Sequence, residues 1–288
     1  MLLMNIAKYQ TDTAPGVGIV QNESLTPLVL TDRYPTLQSI LSSTNPIKTV
    51  QTLDRTDPIE LSTVTLLPPI DDQEVWAAGV TYKKSQTARM EESEASASCY
   101  DKVYDADRPE LFFKAVPMRV RGHHQPLRIR ADATWNVPEP EITLVISSDM
   151  RIVGLTVGND MSSRDIEGEN PLYLPQAKTY DASAGLGPWV TLYDRLPPLD
   201  SITVELDIRR DGQTVFDGQT SAAEMHRQFE DLVGWLGRDV TFPHGVFLMT
   251  GTGIVPTTEF TLHPGDQVHI TIGGVGTLTN SIVQGQLS

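Results

Sequence analysis

Residues 138–160, "PEPEITLVISSDMRIVGLTVGND", contain two apolar runs of strand length on either side of a polar turn near Asp149. Runs rich in Val, Ile, Leu and Thr around such a turn predict an antiparallel hairpin. The numbers of facing residues then sum to a constant, here about 299, so Asp160 lies opposite Glu139 to within roughly two residues. Glu141 shares a face with Glu139 because side chains two apart on a strand point the same way. The hairpin therefore brings three carboxylates together at one end.

Three carboxylates this close repel one another, and a divalent cation is one candidate for what compensates them. Hard oxygen ligands with no cysteine or histidine nearby in the sequence suit Mg²⁺, Mn²⁺ or Ca²⁺ better than zinc. Mg²⁺ keeps several waters when bound, so such a site leaves coordination positions open for a chelating substrate. Spacing alone leaves a second interpretation open, in which the acids at these strand ends are simply solvated.

The segment after the hairpin, "MSSRDIEGENP", predicts a short helix. Ser162 is placed to cap this helix, and Asp165 follows three residues later as in a capping box. Arg164 and Asp165 are therefore interpreted as structural residues and not as catalytic ones.

Composition bounds the class of protein. The 288 residues are 39% hydrophobic and 20% charged, as in an ordinary globular protein. The net charge of −15 disfavours a nucleic-acid partner, because phosphate binding needs clustered Lys and Arg. No window approaches the roughly 18 apolar residues of a membrane span. The single cysteine, Cys99, excludes an internal disulfide, and the chain start lacks the layout of a secretory signal, so we expect a cytoplasmic protein.

The rest of the chain is predicted to be mostly β with a few helices. Residues 1–70 are expected to form a small N-terminal α+β domain, and residues 71–288 a larger domain. After residue 125 strand signals dominate, and "RDGQ" marks the plainest hairpin turn. Residues 221–239 predict an amphipathic helix. Residues 83–106 predict a polar helix that lies over another part of the protein as a cover or lid.

Several motifs together resemble the fumarylacetoacetate hydrolase superfamily: "AAGVTY", "RPELFFKA", "PEPEITLV", "GNDMSSRDIE", "AKTYDASAGLGPW", "TGTGIVP" and "PGDQVHITIGGVGTLTN". The resemblance covers residues 74 to 285 and implies a β-roll or sandwich core of that family. It also implies that Glu139, Glu141 and Asp160 are the divalent-metal ligands and that Lys178 is the lysine beside the metal. An assembly of at least two copies, a homodimer or homotetramer, is implied as well.

One motif departs from the hydrolases of this superfamily. Their G-x-N-Y-x-x-H pattern ends in a histidine that helps to activate water, whereas "GVTYKKS" has Ser85 at that position. Serine is no base near neutral pH without help, which puts hydrolytic carbon–carbon cleavage in doubt. Together with "PELFFKA", the motif is similar to the dehydratase branch, which acts on 2-keto-3-deoxy sugar acids in pentose catabolism. The resemblance thus implies Mg²⁺-dependent dehydration of 2-keto-3-deoxy-D-arabinonate or its xylonate equivalent to 2,5-dioxopentanoate.

The hypothesis assigns a role to each candidate residue. A metal chelated by the α-oxo acid stabilises an enolate, so the C3 hydrogens become acidic and Lys178 is the candidate base. Glu110, beside "LFF", is the candidate acid for the departing 4-hydroxyl, because desolvation favours its protonated form. Ser85, Arg89 and Thr252, together with Lys178, are the candidate substrate contacts.

Three alternatives stay open at this point. One is an acylpyruvate or fumarylacetoacetate-type hydrolase that uses the same metal and an unrecognised base. Another is a decarboxylase or isomerase of a 2-oxo diacid, which needs a further Arg or Lys for the distal carboxylate. The third is a non-catalytic metal- or ligand-binding relative. No histidine is favoured as a base: His123, His124, His226, His244, His263 and His269 all lie in turns, on the helix or in the last strands.

Overall fold

The computed structural model describes residues 3–92 and 102–285, except for the side chains of residues 88–92. The strands are β1 (Leu3–Gln10), β2 (Pro15–Gln21), β3 (Ser24–Pro27), β4 (Ile59–Glu60), β5 (Thr65–Leu67), β6 (Glu74–Gly79), β7 (Glu110–Ala115), β8 (Val120–Arg121), β9 (Leu127–Ile129), β10 (Asn136–Val137), β11 (Pro140–Ile146), β12 (Ile152–Asp160), β13 (Ser162–Ser163), β14 (Ala184–Tyr193), β15 (Thr203–Arg210), β16 (Gln213–Ser221), β17 (Val246–Met249), β18 (Gln267–Ile272) and β19 (Gly276–Gln284). The α-helices are α1 (Leu37–Leu41), α2 (Pro46–Thr52), α3 (Lys83–Glu92), α4 (Arg164–Glu169), α5 (Leu174–Lys178) and α6 (Phe229–Leu236). The prediction of a mostly β protein is confirmed.

Two sheets pack face to face and form a sandwich. The larger is a 12-stranded sheet with β12, β11 and β17 near its middle, and the smaller has the order β16-β15-β18-β19-β9. Apolar side chains of both, such as Leu144 and Ile270, share one core, to which α6 adds Phe229. On the other face of the large sheet, α1 and α2 cover a second core that includes Ile40 and Val50.

This layering explains the strand sequences. Strand β11, "PEITLVI", is buried at every position because core lies on both of its faces. Strand β15, "TVELDIRR", alternates because only one face of the small sheet meets the core. The β15–β16 turn is formed by Asp211 and Gly212, whose φ angles of 51° and 78° are those of the tight turn that "DG" predicts.

The register of the β11–β12 hairpin matches the prediction. Pro140 faces Asn159 and Glu141 faces Gly158, so the numbers sum to 299 along most of the pair. The turn is closed by the Ser147 N–H, which donates to Arg151 O at 2.9 Å, and Met150 adopts a φ of 61°. The ends of this hairpin carry the acidic residues.

The N-terminal strands extend the large sheet. Strand β1 pairs antiparallel with β14, and Ile6 faces Val190 across the two strands. Hydrogen bonding therefore continues from residues 1–70 into the rest of the chain. The division into two domains at residue 70 stays a prediction.

The helix predicted for residues 221–239 is wrong in its first half. A single 3-10 turn covers Ala222–Glu224, and α6 begins only at Phe229. Between them, Met225 bridges to Tyr82, and the His226 N–H donates to Thr81 O at 2.8 Å. These backbone bonds to another segment replace the local helical ones, so tertiary context overrides helix propensity here. In the predicted lid, α3 and residues 102–105 are helical, and residues 93–101 lie outside the described part of the chain.

Candidate active site

The three carboxylates meet at the end of the β11–β12 hairpin. One oxygen each of Glu139, Glu141 and Asp160 lies within 4.8 Å of the others, and none of the three residues is more than 4% exposed. The Asp160 N–H donates to Glu139 O at 3.0 Å, which locks the strand ends together. Asp160 Oδ1 is buried, and the ammonium of Lys114 lies 2.5 Å from it. A buried cluster of three carboxylate oxygens, which are hard ligands, fits a divalent cation of the Mg²⁺ type.

Buried cations surround this cluster. Lys178, the last residue of α5, places Nζ 2.7 Å from Glu139 Oε2, 3.0 Å from Asp160 Oδ2 and 2.5 Å from Ser162 Oγ. Arg164 Nη1 donates to Glu139 Oε1, the other oxygen of that carboxylate, at 2.9 Å. Each carboxylate charge thus has an opposite charge or an N–H nearby, as burial of ions requires.

Lys114 is a site residue that the sequence prediction missed. Its side chain is completely buried, and Nζ lies 2.5 Å from Asp160 Oδ1. Strand β7 presents Glu110, Phe112 and Lys114 on one face, because side chains alternate along a strand. Lys114 follows Glu110 by four residues, and this even spacing along a strand was the one signal in the sequence that pointed to it.

Burial and mutual repulsion perturb the ionisation of the cluster. The pKa of Glu141 is raised well above its usual range, chiefly by burial and then by the charges of Asp160 and Glu139. Lys178 and the Gly251 N–H, which donates to Glu141 Oε2 at 2.6 Å, act in the opposite direction. Burial also lowers the pKa of Lys114, against the effect of Asp160. In the absence of a cation, therefore, the cluster holds its charges only at a cost.

The cluster opens into one pocket with most of the other predicted residues. Ser85 in the first turn of α3, Glu110 at the start of β7 and Thr252 after β17 line it with Lys178 and the three acids. Its free volume is about 10 Å³, roughly the space of one water. The side chain of Arg89 lies outside the described residues. The roles assigned to these residues remain predictions.

A second missed residue, Glu167, lines the same pocket. It lies on α4, is 4% exposed and adds a further carboxyl to the pocket wall. The segment "RDIEGE" had been interpreted only as a helix start, so the side chain two residues beyond the supposed capping box carried no signal.

The predicted capping box is wrong. Ser163, not Ser162, precedes α4, and its side chain makes no cap hydrogen bond. Because β13 pairs with β10, both serines lie in extended backbone and take other partners. Ser162 Oγ donates to Asp160 O at 3.0 Å. Asp165 accepts a hydrogen bond from the Thr134 N–H at 2.6 Å, so it does have a structural contact, but on another segment.

None of the described residues that line the pocket is a histidine. His226 stacks on Tyr104, with ring centroids 4.5 Å apart. His123 accepts a hydrogen bond from the Thr279 N–H at Nδ1, and His269 contacts the side chain of the same threonine. No described histidine is thus in place to activate a water in the pocket.

Comparison with known proteins agrees with this geometry. The model of the fumarylacetoacetate (FAA) hydrolase C-terminal family matches residues 74–283. A probable 2-keto-3-deoxyxylonate dehydratase of Haloferax volcanii is 48% identical over 74% of this chain and 73% of its own length. A 2-dehydro-3-deoxy-D-arabinonate dehydratase of Saccharolobus solfataricus is 39% identical over 77% and 76%.

Among solved structures, a 2-keto-3-deoxy-D-arabinonate dehydratase complexed with magnesium and 2,5-dioxopentanoate superposes with a TM-score of 0.83. The two chains are 32% identical, and each is covered completely. The family match runs from β6 into β19 and therefore includes the acidic hairpin and the pocket described above. The chain therefore belongs to the fumarylacetoacetate hydrolase family.

Proposed function

We propose that the protein is a Mg²⁺-dependent hydro-lyase that converts 2-keto-3-deoxy-D-arabinonate into 2,5-dioxopentanoate and water. The xylonate-derived substrate is the same compound once C2 and C3 are transformed. The observation that carries the proposal is the buried set of Glu139, Glu141, Asp160 and Lys178, in a pocket that has Ser85 instead of a histidine. The two relatives described above, which match about three quarters of the chain, carry the names of such dehydratases.

The acidic residues and the lysine have separate tasks. Glu139, Glu141 and Asp160 would hold Mg²⁺, which would act as a Lewis acid that makes the C3 hydrogens of an α-oxo acid removable. Lys178 Nζ then takes one C3 proton. Hydrogen bonds to Glu139, Asp160 and Ser162 hold Nζ in place. This step requires Nζ as the neutral amine, and a cation bound by Glu139 and Asp160 would oppose the preference of these carboxylates for the ammonium form.

Glu110 supplies the proton for the leaving group. Its carboxyl lies against Gly79, at the side of the pocket wall formed by the β6–β7 pair. Protonation of the 4-hydroxyl lets it depart as water while C3 loses its proton, which leaves a C3–C4 double bond. Loss of a C5 proton and return of a proton to C3 give an enol, and this enol tautomerises to the aldehyde at C5.

Substrate entry requires a movement of the pocket wall. A five-carbon sugar acid does not fit into about 10 Å³, so part of the wall must open. Helix α3, which carries Ser85 in its first turn, is the candidate cover, in line with the lid hypothesis. Ser85, Arg89 and Thr252 are proposed to contact the substrate once it is bound. Closure would exclude water from the reacting atoms.

The setting of the enzyme is also part of the proposal. No helix in the described ranges is long and apolar enough to cross a membrane. We propose a cytoplasmic enzyme of pentose catabolism that works as a homodimer or homotetramer, with a small-molecule sugar acid as its substrate.

The test compares two substrate classes with purified protein and Mg²⁺. We expect 2,5-dioxopentanoate to form from 2-keto-3-deoxy-D-arabinonate, and no cleavage of an acylpyruvate. Glu141→Gln is expected to lose both turnover and Mg²⁺ binding, which would set an enzyme apart from a binding protein. Acylpyruvate hydrolysis, or full sugar-acid turnover after exhaustive chelation, would refute the proposal.

A further inference from the structure

Lys114 connects the two halves of the candidate site. Its ammonium lies 2.5 Å from Asp160 Oδ1 and donates to Met161 O at 2.9 Å and to Lys178 O at 2.5 Å. We propose that Lys114 is a positioning residue, which fixes the carboxylate of Asp160 relative to the backbone of Lys178 and thereby sets the metal affinity of the cluster. The proposal rests on the proposed function, since it takes Asp160 as a metal ligand and Lys178 as the base.

The geometry uses the whole capacity of the ammonium. A lysine has three N–H donors, and Lys114 has three oxygen contacts. Two of them fix the end of β12, and the third fixes the last residue of α5, from which the Lys178 side chain turns into the pocket. Asp160 and Lys178 are 18 residues apart in the chain. One side chain thus prevents the ligand and the base from moving independently.

The burial of Lys114 is what makes this more than an ordinary ion pair. The side chain is 0% exposed, and that of Asp160 is 1% exposed. Burial of an ammonium is unfavourable unless hydrogen bonds and an opposite charge offset it, and an apolar residue of similar size would avoid that penalty. The ring of Tyr180, whose centroid is 5.9 Å from Nζ, closes the remaining side. The buried charge of Lys114 therefore serves to order oxygen atoms around the candidate metal centre.

Lys8 provides a matched control within the same sheet. Its Nζ contacts Asp71 Oδ1 at 2.5 Å and donates to Ile70 O at 2.6 Å. The chemistry resembles that of Lys114, but neither Lys8 nor Asp71 lines the pocket. Substitution of Lys8 by methionine therefore removes a lysine–carboxylate pair without touching the cluster.

The experiment measures Mg²⁺ binding by calorimetry to the substrate-free wild type, Lys114→Met and Lys8→Met, and then kcat and KM for the sugar acid. We expect the Mg²⁺ Kd of Lys114→Met to rise by about 10- to 100-fold, the usual effect of losing an outer-shell partner. At saturating Mg²⁺, kcat should still fall by about 100-fold because Lys178 is misplaced. Lys8→Met should stay within about twofold of wild type in both quantities.

These measurements test the role of Lys114 independently of the proposed function. A folded Lys114→Met with a Kd and kcat within about threefold of wild type overturns it. If Lys114→Met does not fold, Lys114→Arg decides, because the planar guanidinium keeps the charge but not the three contacts. A wild-type Kd in that variant, or failure of both variants to fold, also overturns it. If the wild type binds Mg²⁺ but leaves the sugar acid intact, the proposed function fails, and the Kd comparison still tests Lys114.

Discussion

Replacement of Gly79 by alanine is expected to disable Glu110 while the fold and the metal cluster stay intact. A Cβ atom on Gly79 would lie 1.9 Å from Glu110 Oε2 and 2.6 Å from Cδ. Ordinary contact begins at 3.4 Å, so the carboxyl must retreat by about 1.5 Å, the difference of the two distances. The carboxyl is the flexible end of a side chain, and it can move without displacing the backbone.

The size of the effect follows from that displacement. A misplacement of about 1 Å at a catalytic group costs roughly 100-fold in rate, or about 2.7 kcal/mol of transition-state stabilisation. Stability should not suffer, because alanine in a strand is favoured over glycine by roughly 0.5–1 kcal/mol. We therefore expect kcat to fall about 100-fold, with an unchanged or slightly higher Tm. The Mg²⁺ Kd should not change, since the three atoms nearest to the added Cβ all belong to Glu110 and not to the three acids.

The assay is steady-state formation of 2,5-dioxopentanoate at saturating Mg²⁺, with thermal unfolding and Mg²⁺ calorimetry on the same samples. Gly234→Ala is the control, because a Cβ on Gly234 meets nothing within 4 Å. Glu110→Gln should match Gly79→Ala, and the double variant should lose little more, since both changes remove one group. Full activity in a stable Gly79→Ala protein would refute the role of Glu110.

Three further predictions concern pH and backbone strain. Mg²⁺ should bind more tightly as pH rises, because the raised pKa of Glu141 leaves a proton that competes with the metal; calorimetry at several pH values measures this. Burial lowers the pKa of His123 to about 4, from 6.5. The folded state then binds fewer protons than the unfolded state, so the stability that neutral His123 contributes above pH 6.5 is lost as pH falls from 6.5 through 4. Urea titrations in that window should show this loss in the wild type and not in His123→Asn. Gly212→Ala should cost about 1 kcal/mol in the same titrations, since its φ is 78°.

The parts of the fold that depend on local pattern were predictable from the sequence. Alternation and turn chemistry determine strand pairing within a hairpin, and a shift by one residue would turn Glu139 and Glu141 to the opposite face. The observed sum of 299 for Glu141 and Gly158 is the predicted one. Assembly of the β11–β12 hairpin into the middle of the large sheet depends on partners far away in the chain. No local pattern indicates that β17 pairs with both β11 and β6.

Local reasoning failed where another segment of the chain took over backbone hydrogen bonds. Residues 222–228 have a helical pattern, but Met225 and His226 bond to the segment of Thr81 and Tyr82. Ser162 likewise follows a capping pattern, and its strand pairing directs the hydroxyl to Lys178 instead. In each case a long-range partner near the pocket displaces the local preference.

The candidate site divides in the same way into an anionic half and a cationic half. The three carboxylates of the candidate metal cluster come from one hairpin, so a register argument over a short stretch of sequence locates all three. Its cations come from three separate elements: Lys114 from β7, Arg164 from α4 and Lys178 from α5. Spacing cannot relate these positions, because only the tertiary fold brings them to the same oxygens. Solvation energy requires that a buried acidic cluster be compensated by opposite charges, but the tertiary fold decides which residues provide them. Only the resemblance identified Lys178, while Lys114, which makes the shorter contact with Asp160, went unassigned.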